Sequence, residues 1–259
     1  MSGGGHAPDD GEAQDTPQAG LRASYRRRVG ADHVGQRVSV RHVVDDPDRG
    51  PVPSDVVGRL AAADDEVLLI VDRHGQLHTV ETARVLASRP VPPHPRRDPE
   101  PSGGTAEQPL EREAARVLLL DPDDRTLLIA FEPEPGRRVW TAPGGGLEPG
   151  ETHEAAARRE LTEELGVAPE LGPWVWWRRV RFTFRGLTLE QTERWFLART
   201  GPLEPAEAPA GDAVTRGMRW WTPAELARTD DQLAPARLAD ALEQLLREGP
   251  PPEPVDVGY

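Results

Sequence analysis

Hydrophobic and polar residues alternate in several short stretches of the first hundred residues. Val38, Val40 and Val44 keep a period of two, which indicates a strand with one buried face. Residues 67–71 are apolar throughout, and Asp-Arg-His-Gly at 72–75 is a turn sequence before a second alternating strand with Leu77 and Val80. A single-turn helix and a last strand near 86–91 follow. These four strands, the tight hairpin and the single-turn helix before the last strand suggest a small all-β unit of five strands.

The pattern changes after residue 110, where longer strands and helices are predicted. Apolar residues recur every four positions at Ala157, Leu161 and Leu165, which predicts a helix that starts near Thr152 and ends at Gly166. A last helix is predicted over 233–247. The predicted strands lie at 114–121, 126–131, 174–184, 187–199 and 217–221. The second part is therefore an α/β unit.

Composition divides the chain into five segments. Proline, glycine and serine dominate the stretch between the two patterned regions, so it is predicted to be a linker at which the chain can be cut to leave an active C-terminal piece. Large apolar residues are scarce at both ends. The predicted segments are a disordered tail at 1–19, a small β-domain at 20–93, a Pro-rich linker at 94–109, an α/β domain at 110–248 and a Pro-rich tail at 249–259.

Charge and residue usage narrow the class of protein. The formal net charge of −13 argues against nonspecific binding to nucleic acid by the whole molecule. Arginines nevertheless outnumber acidic residues in 20–97, and a cluster formed by Arg22 and the arginines at 26–28 would suit an acidic partner or RNA, unless it is only a solubilising edge. The chain has 0 cysteines, which excludes a thiolate metal site and a cysteine nucleophile. The sequence has no apolar run of about 18 residues and its start lacks an apolar signal core, so we expect a cytoplasmic protein without a membrane partner.

Candidate chemistry is concentrated in residues 145–167, which read GGLEPGETHEAAARRELTEELGV. Glu160, Glu163 and Glu164 fall on one face of the predicted helix, at spacings of three and four. Carboxylates so close repel one another unless a hard cation lies between them, and oxygen ligands favour Mg²⁺ or Mn²⁺ over zinc. Arg159 lies one turn before Glu163 and can hold one carboxylate in place. The glycines at 144–146 let backbone carbonyls approach a metal or a phosphate.

This motif resembles the Nudix box at every defining position, and the resemblance to Nudix hydrolases extends over about 110–248. It implies an α/β/α sandwich with a mixed sheet and the hydrolysis of a nucleoside diphosphate linked to another group. The metal ligands would be Glu160, Glu163, Glu164 and the Gly145 carbonyl. Arg159 would orient the glutamates. The first unit resembles a Src-homology-3 barrel.

The general base and the substrate contacts are open at this stage. Glu163 or Glu160 is our first choice for the base, with the loop acids Glu204, Glu207 and Asp212 as alternatives. Arg179 and Arg181 share one strand face and would bind phosphates, unless that face is simply solvated. Trp140 would stack a base, unless it belongs to the core.

The expected substrate is an anionic small molecule of the nucleotide, ADP-sugar or dinucleotide class, and a homodimer would be compatible with the sequence. The alternative function is a catalytically quiet Nudix module that senses a nucleotide or ADP-ribose, with the N-terminal domain as its output. Intact glutamates favour the enzyme, because a sensor does not need them.

Overall fold

A computed structural model describes residues 29–46, 49–92, 104–134, 136–148, 150–203 and 215–258. The predicted N-terminal tail, Arg22 and the arginines at 26–28, most of the linker and the loop acids Glu204, Glu207 and Asp212 lie outside these residues. No helix in the described part of the chain combines the length and the apolar character needed to cross a membrane.

The N-terminal unit is an antiparallel sheet of five strands in the order β4-β3-β2-β1-β5. Its elements are β1 (Arg37–Asp46), β2 (Gly50–Ala63), β3 (Val67–Asp72), β4 (Leu77–Glu81), a 3₁₀ turn (Thr82–Arg84) and β5 (Val85–Pro90), preceded by a 3₁₀ turn (Ala31–His33). The five strands and the turn before the last one confirm the predicted β-unit. Its closure into a barrel stays a prediction.

The second unit is a nine-stranded mixed sheet with helices on both faces. Its elements are β6 (Leu110–Leu120), β7 (Thr126–Glu134), β8 (Arg137–Thr141), β9 (Gly144–Gly146), α1 (His153–Leu165), β10 (Leu171–Phe184), β11 (Leu187–Arg199), β12 (Thr215–Trp221), α2 (Pro223–Leu226), β13 (Gln232–Ala234), α3 (Leu238–Glu248) and β14 (Val255–Asp256). The central pair β6 and β11 is parallel, and β10 pairs antiparallel with β11.

The two faces of β6 bury different helices, because successive side chains of a strand point to opposite sides. Val117 and Leu119 pack with Ala157 and Leu161 of α1. Leu118 and its neighbours on the opposite face join a second core that includes Leu242 and Leu245 of α3 together with Trp195. The layers are helix, sheet and helix, which confirms the predicted α/β/α sandwich.

Two sequence-based boundaries need correction near the C-terminus. The last helix begins at Leu238 rather than at Leu233, because Leu233 pairs with Trp140 as part of β13 and Pro235 disfavours helix in the residue before it. The segment predicted as a Pro-rich tail adds β14 beside β10 and buries Val257 in the α3 core. Apolar residues among its prolines make that packing favourable.

One sheet face, formed by β6, β11 and β10, changes character along its strands. Trp176 and Trp195 face each other under α3. Further along, the row containing Arg178 and Glu193 is charged. The next row joins Val180, Gln191 and Arg112, and the last joins Phe182, Leu189 and Leu110. A stretch of polar side chains therefore lies between two apolar ends of the same face.

The N-terminal unit covers the second apolar end. Val67, Leu69 and Leu77 form one buried cluster with Leu110, Phe184 and Leu189 of the second unit. Arg185, at the β10–β11 turn, forms ion pairs with Asp64 and Glu66, the latter at 2.7 Å. The two units therefore share an apolar core, which a separated C-terminal piece would expose to water. Release of an active C-terminal piece by cleavage in the linker stays a prediction.

Candidate active site

A cavity of about 560 Å³ lies over the polar middle of this sheet face. Glu160, Glu163 and Glu164 line one side of it. Arginines from the strands line the floor, and apolar side chains from β7, β8 and β10 line another wall. The N-terminal unit contributes the lining residues Thr79, Glu81 and Arg84.

Local sequence explains how α1 presents its glutamates to the cavity. Thr152 caps the helix, since its hydroxyl accepts a hydrogen bond from the Ala155 amide at 3.2 Å. Gly166 ends it with φ of 65°, in the left-handed conformation that glycine adopts readily. Ala157 and Leu161 are fully buried against the sheet, so the glutamates fall on the side of the helix beside β9.

Arg159 is the centre of the acidic cluster. Its Nε and Nη2 donate to the two Glu151 carboxylate oxygens at 3.0 and 3.1 Å. Its Nη1 donates to Glu160 at 2.9 Å and to Glu163 at 3.0 Å, and its Nη2 also donates to the Gly146 carbonyl at 2.9 Å. Burial would lower the pKa of Arg159, but these carboxylates raise it above its ordinary value. The arginine stays charged and orients three glutamates.

One positive charge does not neutralise this cluster. Burial and the charges of Glu160 and Glu148 raise the pKa of Glu163 to about 7, although Arg159 acts in the opposite direction. Glu160 lies directly against Gly145, where a Cβ atom would collide with the carboxylate. A larger residue at Gly145 would therefore push this carboxylate aside. The cluster carries excess negative charge.

Glu164 and Arg116 hold the glycine strand β9 from two sides. The Gly144 amide donates to Glu164 at 2.9 Å. Arg116 donates to the Gly144 carbonyl and, at 3.3 Å, to the Ala142 carbonyl. A Cβ atom at Gly144 would meet the backbone of β6, so glycine also allows this strand to lie close to its neighbour.

A second charged cluster surrounds Glu193, which is fully buried. Arg178 donates to its carboxylate at 2.5 and 3.0 Å, and Gln191 and Trp195 donate at 2.7 and 2.9 Å. Arg116 lies 3.5 Å away. Burial favours the neutral acid, but the two arginines outweigh it and lower the pKa of Glu193 to about 2. One carboxylate thus pairs with two guanidinium groups.

Arg112 adds further positive charge to this side of the cavity. Within the described residues, no hydrogen bond or ion pair reaches its guanidinium group, which lies against Gly146. Burial and the neighbouring Arg116 lower the pKa of Arg112, while Glu160 and Glu193 raise it less. Arg112 is only partly buried, but a cation with no partner among the described residues is still costly in such a place, and a bound anion would lower that cost.

The structure separates the substrate residues expected from sequence. Arg181 lines the cavity and pairs with Glu190 at 2.8 Å. Arg179 pairs with the same Glu190, is 58% exposed in its side chain and is not among the lining residues. Trp140 lies in the α3 core, 5.3 Å from Trp221 and hydrogen-bonded to Asp231, also away from the lining. Their roles in binding stay predictions.

Sequence analysis missed Arg112, Arg116 and Arg178, which all line the cavity. Arg112 and Arg116 share the parity of Leu110 and Leu118 on β6, and Arg178 shares the parity of Trp176 on β10. The signal was therefore present: an arginine at a core-facing position of a strand marks an opening in the core. Our sequence analysis considered only Arg179 and Arg181, which have the other parity on β10.

Comparison with known proteins agrees with this geometry. A family model described as the NUDIX domain matches residues 110–242, just over half of the chain. The chain belongs to the NUDIX family. This family generally uses divalent metal cations and acts on nucleoside diphosphate derivatives.

Curated relatives of this NUDIX protein include named pyrophosphohydrolases. An RNA pyrophosphohydrolase from Erythrobacter litoralis is 30% identical over 132 residues, which cover 45% of this chain and 79% of the relative. The mouse diphosphoinositol polyphosphate phosphohydrolase 3-alpha is 40% identical over 62 residues, covering 24% and 37%. A solved MutT NUDIX hydrolase from Burkholderia pseudomallei is 25% identical with a TM-score of 0.41, covering 52% of this chain and 98% of that one.

The acidic cluster fits a divalent cation in its chemistry. Across the described part of the chain, no three His, Asp or Glu side chains already surround a single metal-sized point, since Arg159 and the Gly144 amide engage the carboxylates. Oxygen-only donors, excess negative charge and the close approach of Glu160 to Gly145 are nevertheless what a hard cation requires. Glu160, Glu163, Glu164 and the Gly145 carbonyl are the candidate ligands.

Proposed function

We propose that this NUDIX protein is a metal-dependent hydrolase that cleaves the diphosphate linkage of a nucleoside diphosphate derivative. One observation supports this most directly: a single cavity contains a cluster with excess carboxylates and a cluster with excess arginines. A phosphate anhydride with its metal ions needs both kinds of group, because the cation and the anion must be bound side by side.

Glu160, Glu163 and Glu164 would hold Mg²⁺ or Mn²⁺, together with the Gly145 carbonyl. When bound, such an ion neutralises phosphate charge and makes water a stronger acid. Arg159 keeps Glu160 and Glu163 in position through its hydrogen bonds at 2.9 and 3.0 Å. Glu163 or Glu160 would accept the proton of the attacking water.

The strand side of the cavity would bind the substrate phosphates. Arg112 has donors without acceptors in the described protein and is placed to bind an anion, whereas Arg178 and Arg116 are already engaged by Glu193. Arg181 stays a candidate for the same role. The apolar wall that includes Ile129, Val139 and Phe182 would accommodate the base or another uncharged part of the substrate.

The test is a screen of the full-length protein with Mg²⁺ against nucleoside triphosphates, ADP-ribose, NADH and dinucleoside polyphosphates. For a compound that is hydrolysed, Glu163→Gln should lower kcat by at least about 100-fold, because one ligand charge or the base is lost. The fold should survive: without metal, the mutant should melt no lower than the wild type, since repulsion among the carboxylates decreases.

Glu154→Gln is the matched control, since Glu154 is exposed on the same helix and is not among the lining residues. It should keep wild-type activity. Full activity of Glu163→Gln with Mg²⁺ would contradict the assignment. Tight binding of one panel compound with no turnover would instead support the sensor function.

A further inference from the structure

The N-terminal unit forms part of the wall of the proposed active site. Thr79 on β4, Glu81 at its end and Arg84 in the following 3₁₀ turn line the same cavity as Glu163 and the strand arginines. Neither the NUDIX match, which begins at residue 110, nor the chemistry of the glutamate motif includes this segment.

Several contacts fix the position of this wall. Leu77 on β4 lies in the apolar cluster with Leu110 and Leu189. Gln76 donates a hydrogen bond of 2.8 Å to the Leu147 carbonyl, directly after the glycine strand β9. Together with the Arg185 ion pairs, these contacts hold the N-terminal unit against the second unit. The wall is therefore built into the fold through a shared core.

The register of the sheet places Arg112 beside this wall. Arg112 lies two residues along β6 from Leu110, which contacts the N-terminal unit, so the two rows are about 7 Å apart. Arg84 lines the cavity from the N-terminal side with a side chain that is 41% exposed, and Glu81 lies 3.5 Å from its Nε. The cavity that contains the α1 glutamates is therefore lined by arginines of both units, Arg112 and Arg84.

We propose that Arg84 extends the anion site at Arg112, so that it binds an anionic group of the substrate beyond the diphosphate that Arg112 contacts. This inference rests on the proposed function and narrows it. Compounds with three or more linked phosphates, such as nucleoside triphosphates and dinucleoside polyphosphates, are then preferred over ADP-sugars. The N-terminal unit acts as a specificity element of the enzyme rather than as a separate module.

The test measures the binding of linear inorganic polyphosphates to the full-length protein by calorimetry, without divalent metal. Pyrophosphate, triphosphate, tetraphosphate and pentaphosphate are compared. For the wild type, affinity should increase with chain length, because the longer chains reach Arg84 from Arg112. Arg84→Ala should bind pyrophosphate like the wild type and lose about fivefold affinity for the longest chain. Arg84→Lys should restore part of the gain, since it keeps the charge.

Arg89→Ala is the control, because Arg89 is exposed on β5 of the same unit and is not among the lining residues. It should show the wild-type dependence on chain length. If Arg84→Ala keeps that dependence, or if the wild type shows none, the inference is overturned. Loss of the increase in affinity with chain length in Arg84→Ala, without hydrolysis of any compound in the substrate screen, would support the anion subsite and contradict the proposed hydrolysis.

Discussion

Two charged clusters face the same cavity, and they shift the pKa values of their buried glutamates in opposite directions. On α1, several carboxylates share Arg159, and the pKa of Glu163 is raised to about 7. On β11, Glu193 lies among two arginines, and its pKa is lowered to about 2. Burial opposes the charged carboxylate in both places. The ratio of acids to bases decides the direction, and it also indicates what each cluster can bind.

The α1 cluster has more carboxylates than Arg159 can neutralise, so a bound cation would stabilise it. The strand cluster is internally paired at Glu193, but Arg112 beside it has no acceptor among the described residues, so an anion stabilises that side. Arg116 connects the two clusters, because it lies 3.5 Å from Glu193 and donates to the Gly144 carbonyl. A metal-bound phosphate anhydride would complement both clusters at once.

Among the substitutions that test this comparison, Glu193→Gln should have the largest effect on stability. It removes the fully buried charge that pairs with Arg178, which is buried, and Arg116, which is partly buried. We therefore expect a loss of about 3 kcal/mol in the free energy of unfolding at pH 7. Chemical denaturation of the full-length protein would measure it. Glu190→Gln serves as the control on the same strand, since Glu190 pairs with exposed arginines, and it should change stability little. Equal effects would mean that burial of the pair is unimportant.

The lowered pKa of Glu193 also predicts how the stability of the protein depends on pH. A glutamate whose pKa is about 2 when folded and near 4.5 when unfolded stabilises the protein above pH 4.5, and this contribution is lost as the pH falls towards 2. Wild-type stability should therefore decrease across that window more steeply than the stability of Glu193→Gln. Parallel curves for the two proteins would show that Glu193 does not have the lowered pKa.

A smaller effect, on KM, should distinguish Arg181 from Arg179, to which the sequence analysis gave the same role. Arg181 lines the cavity and Arg179 does not, although both pair with Glu190. We expect Arg181→Gln to raise KM several-fold, and Arg179→Gln to leave KM unchanged. Both should leave the thermal midpoint nearly unchanged, as surface substitutions do. A larger change in KM for Arg179→Gln would mean that Arg179 also binds the substrate, as the sequence analysis proposed for both arginines.

Sequence patterns predicted the parts of the fold in which local and tertiary preferences agree. The glutamate helix is an example, because its cap at Thr152, its end at Gly166 and its buried residues Ala157 and Leu161 all have local signals. Strand β2 escaped prediction, since its buried side is Val56, Gly58 and Leu60, and a glycine interrupts the apolar period. Gly58 is there because a Cβ would meet the backbone of β3.

The candidate site was predictable only where one element carries it. Glu160, Glu163 and Glu164 are neighbours on one helix, so their spacing shows their proximity. Arg112, Arg178 and Arg84 come from three elements that meet only after the sheet forms and the N-terminal unit packs on it. Their association depends on strand register and on an apolar contact between units, which single-sequence patterns do not show.

The most direct measurement of the central claim is a pair of calorimetric titrations, one with Mg²⁺ alone and one with inorganic pyrophosphate without metal. They are carried out on Glu163→Gln, Arg112→Gln and the wild type. Glu163→Gln should lose Mg²⁺ affinity and keep pyrophosphate binding. Arg112→Gln should keep Mg²⁺ binding and lose about tenfold affinity for pyrophosphate. If both variants weaken both ligands equally, or if neither changes its own ligand, the two clusters do not have separate roles and the account is contradicted.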